Sequence, residues 1–289
     1  MTLSVGVVDE SGVPAAQATD VTAREGLLFD GLRGVGSVLV ALSGGVDSAY
    51  LAWAAFHALG EAALAVTADS PSYPDHHRQM AIRVARECGL RHEFIRTFEV
   101  NQPAYAANPV NRCYYCKSEL YGTLTAIARA RGIAVVADGN NADDRDDYRP
   151  GRRAAREFGV RSLLDEAGLT KTAIRELSRR AGLPTWDEPA SACLSSRVPY
   201  GTAISPESLA QIEQAEDALR TLGFRVCRVR HYGSTARVEL DPGDLAGVTA
   251  GMRLRIADAV RCVGYTDVTI DPRGYRQGSL NEGLQLRPV

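Results

Sequence analysis

Ser37-Val38-Leu39-Val40-Ala41-Leu42 runs straight into Ser43-Gly44-Gly45-Val46-Asp47-Ser48, and the reading of this junction decides the fold. The first half is a short apolar run of the kind that forms a strand buried on both faces. The glycines turn the chain, and residues 48–59 read as a helix. Adjacent glycines let backbone N–H groups approach an anion closely. A helix starting just beyond them points its unpaired N–H groups and the positive end of its dipole at the same place. Ser43 and Ser48 add hydroxyl donors, and Asp47 can cap the helix or hold a magnesium ion. No lysine follows the last glycine, so this is not a Walker A loop, and it lacks the dinucleotide fingerprint. A plain glycine turn before a capped helix is the bland alternative. Six such residues between a buried strand and a helix favour a phosphate-binding loop.

Outward from the junction, strands and helices alternate. Residues 62–67, 92–96 and 134–138 read as strands; residues 21–32, 76–88, 117–131 and 169–181 read as helices. Thr170 opens the last of these, Gly182 closes it and Pro184 follows. The alternation predicts an α/β fold, a parallel sheet with helices on both faces. After Pro184 the rhythm changes. Residues 186–204, with Pro189, Pro199 and Gly201, read as a linker that carries Cys193. Residues 205–222 read as a helix with Ser205 as N-cap, Pro206 at the first position and Glu207 in the first turn. Residues 224–231 and 235–240 alternate like an antiparallel pair around Gly233, followed by a helix over 245–263 and a strand over 267–271. The expected organisation is a tail over 1–20, a phosphate-loop domain over 21–185, the linker, and a smaller α+β domain over 205–289 for substrate binding or oligomerisation.

The 289 residues are 45% hydrophobic and 24% charged, ample for a globular core. A net charge of -2 gives no surface built for nucleic acid. No apolar run approaches the roughly 18 residues that cross a bilayer, and the N-terminus lacks a basic-then-apolar signal pattern. A cytoplasmic protein without membrane contact is expected. Of six cysteines, Cys88, Cys227 and Cys262 sit in amphipathic or strand-like runs and read as core residues. Disulfides are not expected in such a compartment, which leaves Cys113, Cys116 and Cys193 as ligands or reactive thiols.

Two further loops fall at strand C-termini, where ligands of open α/β sheets bind. Asp69 and Ser70 end one strand, where a backbone group can read the edge of a base. Asp138-Gly139-Asn140-Asn141-Ala142-Asp143-Asp144 ends another; Gly139, Asn140 and Asp143 can approach a nucleotide or magnesium, the alternative being a solvated acidic loop.

The Ser43–Ser48 loop resembles the PP-loop of the adenine nucleotide alpha-hydrolase-like superfamily. That resemblance implies a HUP-like fold that holds the pyrophosphate of ATP while a substrate oxygen attacks the alpha-phosphate. Arg112-Cys113-Tyr114-Tyr115-Cys116-Lys117, the 138–144 loop, Ser191-Ala192-Cys193-Leu194-Ser195-Ser196-Arg197, Pro199-Tyr200-Gly201 and Gly274-Tyr275-Arg276-Gln277-Gly278-Ser279-Leu280-Asn281 follow in order. From about residue 22 to the end these motifs resemble the LarE family. The resemblance implies an ATP-dependent sulfur insertase acting on pyridinium-3,5-biscarboxylic acid mononucleotide, an intermediate of the nickel-pincer nucleotide cofactor. Adenylylation turns a carboxylate oxygen, a hopeless leaving group, into AMP, which sulfur can displace. In one branch of the family a cysteine at the position of Cys193 surrenders its own sulfur. In the other, three cysteines hold a [4Fe-4S] cluster whose open iron carries sulfide. Cys113, Cys116 and Cys193 together make the cluster the expectation. A lone C-x-x-C also suits a redox pair or half a zinc site.

A phosphorylated dicarboxylate needs cations. Arg228 and Arg230 alternate along a strand, and Arg276 lies in a polar loop; the resemblance implies that these three hold the substrate phosphate. Arg197 lies four residues after Cys193, near enough to orient an anion. Glu216 and Asp241 complete the candidates, Glu216 with the alternative of a solvated helix face. A homo-oligomer is expected, with nickel-pincer biosynthesis proteins and an unspecified sulfide donor as partners. Competing readings are a PP-loop tRNA thiolase, which tight, salt-dependent tRNA binding would reveal, and a nucleotide-sensing protein without catalysis, which pyrophosphate release would exclude. An ammonia-using amidotransferase lacks its glutaminase unit here.

Overall fold

The computed structural model describes residues 15–146, 149–190, 192–276 and 278–281. Residues 1–14 of the expected tail, Ser191 and Gln277 lie outside the described residues. The first helix, α1 (Ala15–Val35), begins before the helix expected at residue 21.

The strand of the opening junction is β1 (Val38–Ala41), and α2 (Val46–Leu59) follows the glycines. Then come β2 (Ala63–Asp69), α3 (Asp75–Glu87), β3 (His92–Arg96), the short α4 (Pro103–Ala106), α5 (Arg112–Ala130) and β4 (Val135–Ala137). The sheet has the order β3-β2-β1-β4 and every neighbour is parallel. Side-chain alternation explains why an unbroken apolar run was needed at β1. Val38 and Val40 pack with α1, α2 and the later α8 (Lys171–Arg180), whereas Leu39 enters a second core with Tyr121, Leu124 and Val136. Ala63 and Ala65 of β2 divide from Leu64 and Val66 in the same way. Thr170 caps α8 as expected, its hydroxyl accepting from the Ala173 N–H.

Between β4 and α8 lie α6 (Pro150–Glu157) and α7 (Leu163–Glu166), neither legible in the sequence as regular helices. Six of the eight residues of α6 are Arg, Glu, Gly or Pro, so its packing face reduces to Pro150, Ala154 and Ala155. The second unit starts with α9 (Pro206–Thr221), where Ser205 and Ser208 form a reciprocal capping box. Antiparallel β5 (Cys227–Tyr232) and β6 (Thr235–Leu240) turn through Gly233, and β7 (Asp267–Ile270) adds in parallel to β6. The single helix expected over 245–263 is two pieces, α10 (Pro242–Ala246) and α11 (Ala250–Arg261). Thr249 stops the first from continuing because its hydroxyl accepts from the Met252 N–H and restarts the chain as an N-cap. Of the cysteines expected in the core, Cys227 is buried and Cys88 half-buried, whereas Cys262 is exposed because it falls at the C-cap of α11.

The 186–204 linker is a tied strap. Asn108, fully buried at a positive φ of 52°, donates through its side-chain amide to the carbonyls of Val198, Pro199 and Thr202. Arg112 locks the Asn108 amide oxygen at 2.8 Å and lies over the Tyr200 ring. Arg175 holds the other end through the carbonyls of Trp186 and Glu188. Among the described residues, no helix is long and apolar enough to cross a membrane.

Candidate active site

The order β3-β2-β1-β4 places a topological switch point between β1 and β4, the position where open α/β sheets bind ligands. Both loops there are pinned. Ser48 Oγ donates to the Gly45 carbonyl and accepts from the Ser43 N–H at 3.0 Å, which curls the Ser43–Ser48 loop around the start of α2. Gly44 sits at φ 71°, and a Cβ there would lie 2.3 Å from the His77 carbonyl oxygen. Gly44→Ala therefore combines a left-handed penalty of about 1–2 kcal/mol with a backbone clash. The expected result is a stability loss of roughly 2 kcal/mol or more in urea unfolding; an unchanged midpoint would show that the loop relaxes freely.

The loop after β4 comes equally close. A Cβ on Gly139 would stand 2.9 Å from Ser48 N, so glycine lets this loop press on the first turn of α2. Asp138 holds it there: buried, it accepts from Tyr121 Oη at 2.7 Å, Ser162 Oγ at 2.8 Å and the Asn140 side chain at 2.6 Å. Asp143 accepts from the Lys171 N–H. Asp47 takes Lys171 Nζ at 2.5 Å on one oxygen, and its other oxygen is buried without a hydrogen-bond partner.

Two cavities meet at this point. One, about 330 Å³, is lined by Gly45, Val46, Asp47, Ser48, Gly139, Asn140 and the cations Arg149 and Lys171. The N–H groups of the first turn of α2 have no carbonyl one turn back to bond, so this cavity is suited to an anion. The other, about 230 Å³, has an apolar side of Leu42, Val66, Ala68 and Leu120 and a polar end of Ser70, Ser72, Glu99, Cys116 and Cys193. Ala41, Ser43, His77 and Lys117 line both. Asp69 is paired with Arg78 rather than directed into either cavity.

Cys113 and Cys116 lie on the first turn of α5, which begins at Arg112 and not at the expected residue 117. Three residues apart, they share a helix face. Cys193 arrives on the strap, where the Leu194 N–H donates to the Ser72 carbonyl at 2.9 Å. All three thiols are free. Burial pushes the Cys116 thiol well up, with Glu99, Cys193 and Cys113 adding. Cys113 keeps an exposed surface, yet the protein crowded around it and the field of Cys193 push its thiol up as well. Among the described residues, no three Cys, His, Asp or Glu side chains converge on one metal ion.

Nothing in the sequence points to the group around these thiols. Glu99 is buried and accepts from Ser70 Oγ and Ser72 Oγ, both at 2.6 Å. Tyr105 Oη lies 2.6 Å from Ser195 Oγ in the turn of Cys193. Each residue is local to a different element, and only the tertiary fold gathers them.

The arginines divide by partner. Arg197 is fully buried, paired through two nitrogens with Glu216 at 2.9 Å, and its third nitrogen donates to the carbonyls of Ala192 and Cys193. Glu216 is thus no solvated helix face; it lies in the core, where Val229 N–H also donates to it. Burial pushes its carboxyl up, but Arg197 more than offsets this and holds it below the usual glutamate range. Arg230 is engaged by Glu239 at 2.7 Å, the Ser196 carbonyl and Ser279 Oγ. Arg228 lies over the Tyr275 ring and also lines a third cavity of about 220 Å³, together with His76, Glu188, Arg220 and Arg225. Arg276 donates to the Gly274 carbonyl, and Asp241 caps α10 by accepting from the Gly243 N–H at 2.8 Å.

An all-parallel sheet flanked by helices, a Ser-Gly-Gly-Val-Asp-Ser loop at its switch point and a separate small mixed sheet define a PP-loop, HUP-like α/β protein. No protein-family profile matches the chain. It is 36% identical to the pyridinium-3,5-bisthiocarboxylic acid mononucleotide synthase of Lactiplantibacillus plantarum, over 90% of this chain and 95% of that protein. It is 44% identical to an uncharacterized protein of Synechocystis sp., over 85% of this chain and 92% of the relative. A 28% identity links it to an uncharacterized protein of Methanocaldococcus jannaschii, over 83% and 90% of the two chains. The chain belongs to the LarE family.

Proposed function

We propose that this protein is an ATP-dependent sulfur transferase that converts the carboxylates of pyridinium-3,5-biscarboxylic acid mononucleotide to thiocarboxylates. The observation that carries this reading is the meeting of two cavities: one bears the phosphate loop, the other bears thiols, and Ser43, His77 and Lys117 line both. Pyrophosphate of ATP lies against the first turn of α2 with Arg149 and Lys171, and the adenosine against the apolar side of the second cavity. The free oxygen of Asp47 suits a magnesium ion, since it is a buried carboxylate acceptor without a donor. The alpha-phosphate then sits beside Lys117, whose cation opposes the charge that builds as the substrate carboxylate attacks. The third cavity offers Arg228, Arg220 and Arg225 to the substrate phosphate, while Arg230 ties strap to sheet. The bisthiocarboxylic acid mononucleotide in the name of the Lactiplantibacillus plantarum relative supports the same substrate class.

Cys113 and Cys116 on one turn of α5 and Cys193 on the strap are free thiols of the kind a cluster takes, and each would bind a different iron, so they need not converge as ligands of a single ion do. Cys113, Cys116 and Cys193 would hold it, and when bound it supplies an open iron able to carry sulfide. One observation favours a second reading. Cys116 and Cys193 line the cavity and Cys113 does not, as a sacrificial Cys193 would allow.

Anaerobic protein given ATP, magnesium and the dicarboxylate tests the proposal. Pyrophosphate release together with a thiocarboxylate product in the mass spectrum is expected; release of neither would overturn it. Cys113→Ala decides between the sulfur sources. With a cluster, this variant keeps pyrophosphate release but loses iron and sulfur transfer. With a sacrificial cysteine, it transfers one sulfur normally and Cys193 loses the mass of one molecule of hydrogen sulfide.

A further inference from the structure

His77 is the one buried histidine in the first turn of α3, 7% exposed, and it lines both cavities. No hydrogen bond from its ring nitrogens to the protein occurs among the described residues, although the ring has Tyr73 and His76 as neighbours. An imidazole in such a position has a donor and an acceptor to satisfy. Neither ring nitrogen is among the side-chain atoms buried without a partner, so the ring opens to the cavities it lines, where a ligand can supply that donor or acceptor. Of the four residues common to the two cavities, Ala41 is apolar and Ser43 is bonded to Ser48. Only Lys117 and His77 remain to act on a reacting group.

Their charges differ. Burial first, then His76, Arg197 and Arg228, hold His77 down to about 4 against the pull of Glu188, so the ring is neutral at pH 7. A neutral imidazole is a poor partner for a phosphate, which Lys117, Arg149 and Lys171 already serve. It is a good donor to a carbonyl oxygen that becomes negative only during reaction.

We propose that His77 is a catalytic residue of the sulfur-transfer half-reaction, donating its ring N–H to the carbonyl oxygen of the adenylylated carboxylate. This rests on the transferase reading above. A hydrosulfide ion, HS⁻, adds to the carbonyl carbon, forming the C–S bond while the carbonyl pair moves to oxygen, where the His77 N–H meets it. The pair returns, the C–O bond to AMP breaks, and AMP leaves with the bonding electrons. The thiocarboxylic acid so formed releases its proton to water, and His77 ends unchanged.

The test separates the half-reactions with the whole protein. ATP–pyrophosphate exchange in the presence of the dicarboxylate reports adenylylation, and single-turnover mass spectrometry reports thiocarboxylate. His77→Phe should lower the transfer rate by about 10²-fold relative to the exchange rate of the same variant. His77→Gln, which restores a donor, should recover much of that loss through kcat with KM unchanged. His77→Ala repeats the removal without the bulk of phenylalanine, in case the larger ring unfolds the protein in circular dichroism. Transfer at the wild-type rate in the removal variants, or equal losses in both half-reactions, would overturn the assignment. Absence of both half-reactions in the wild-type protein would sink the transferase reading itself.

Discussion

Asp47→Ala lowers pyrophosphate release by about 10²-fold or more while leaving the fold nearly intact. The two halves of this expectation come from different oxygens of one carboxylate. Oδ2 is paired with Lys171 at 2.5 Å, but both side chains are partly exposed, so the pair contributes about 0–1 kcal/mol. A negative charge in the first turn of α2 adds about 0.3–1 kcal/mol through the helix dipole. Oδ1 is buried with no partner, a cost the folded protein carries without structural return. In the proposed reaction this oxygen is the acceptor available to a magnesium ion. Asp47→Asn keeps an acceptor oxygen but removes the charge, and it should fall between alanine and wild type, with a raised magnesium requirement. Wild-type pyrophosphate release by Asp47→Ala would reduce Asp47 to a partner of Lys171.

The parallel sheet and its glycine loop were legible because each rests on local chemistry. An apolar run with residues on both faces buried has one explanation, and Gly44 meets a carbonyl that leaves no room for Cβ. The helix α5 starts five residues before the expected Lys117, directly after Asn111, a residue type favoured at the N-cap although its side chain makes no cap hydrogen bond here. With that correction both cysteines of the C-x-x-C become helical. The burial of Glu216 did leave a trace. It lies four residues after Ile212 and seven after Leu209, which places it on the buried stripe of α9. A carboxylate on an apolar stripe announces a buried partner, and Arg197 of the linker is that partner. Glu99, Tyr105 and His77 left no such trace, because each stands near the thiols or the phosphate loop only through the path of the whole chain.

The strap that carries Cys193 has no core of its own, so its position depends on ties to both units. Asn108 secures one side, reaching three carbonyls from a backbone conformation that costs energy unless its bonds are made. Glu216 secures the other through Arg197, whose remaining nitrogen grips the carbonyls on either side of the Ala192–Cys193 bond. Stability and sulfur chemistry therefore share one ion pair.

Glu216→Ala should cost about 3–5 kcal/mol, because it leaves Arg197 charged and buried with no counterion. Urea unfolding measures this, and the same variant should lose sulfur transfer through displacement of Cys193, even under conditions where it remains folded. Arg197→Met combined with Glu216→Leu separates the two effects. Removing both charges restores much of the stability, yet the carbonyls of Ala192 and Cys193 lose their donor, so transfer stays impaired. The pH dependence has a defined sign. Glu216 is held below its ordinary range in the folded protein, so its contribution is fully present above the unfolded value of about 4.3. It is lost as pH falls further and the folded carboxylate takes up its proton. Wild-type stability should therefore decline steeply below about pH 4, and the double variant should decline less. Identical acid limbs for the two proteins would mean that other carboxylates govern acid unfolding, and a stable, fully active Glu216→Ala would break the link between this pair and the thiol it positions.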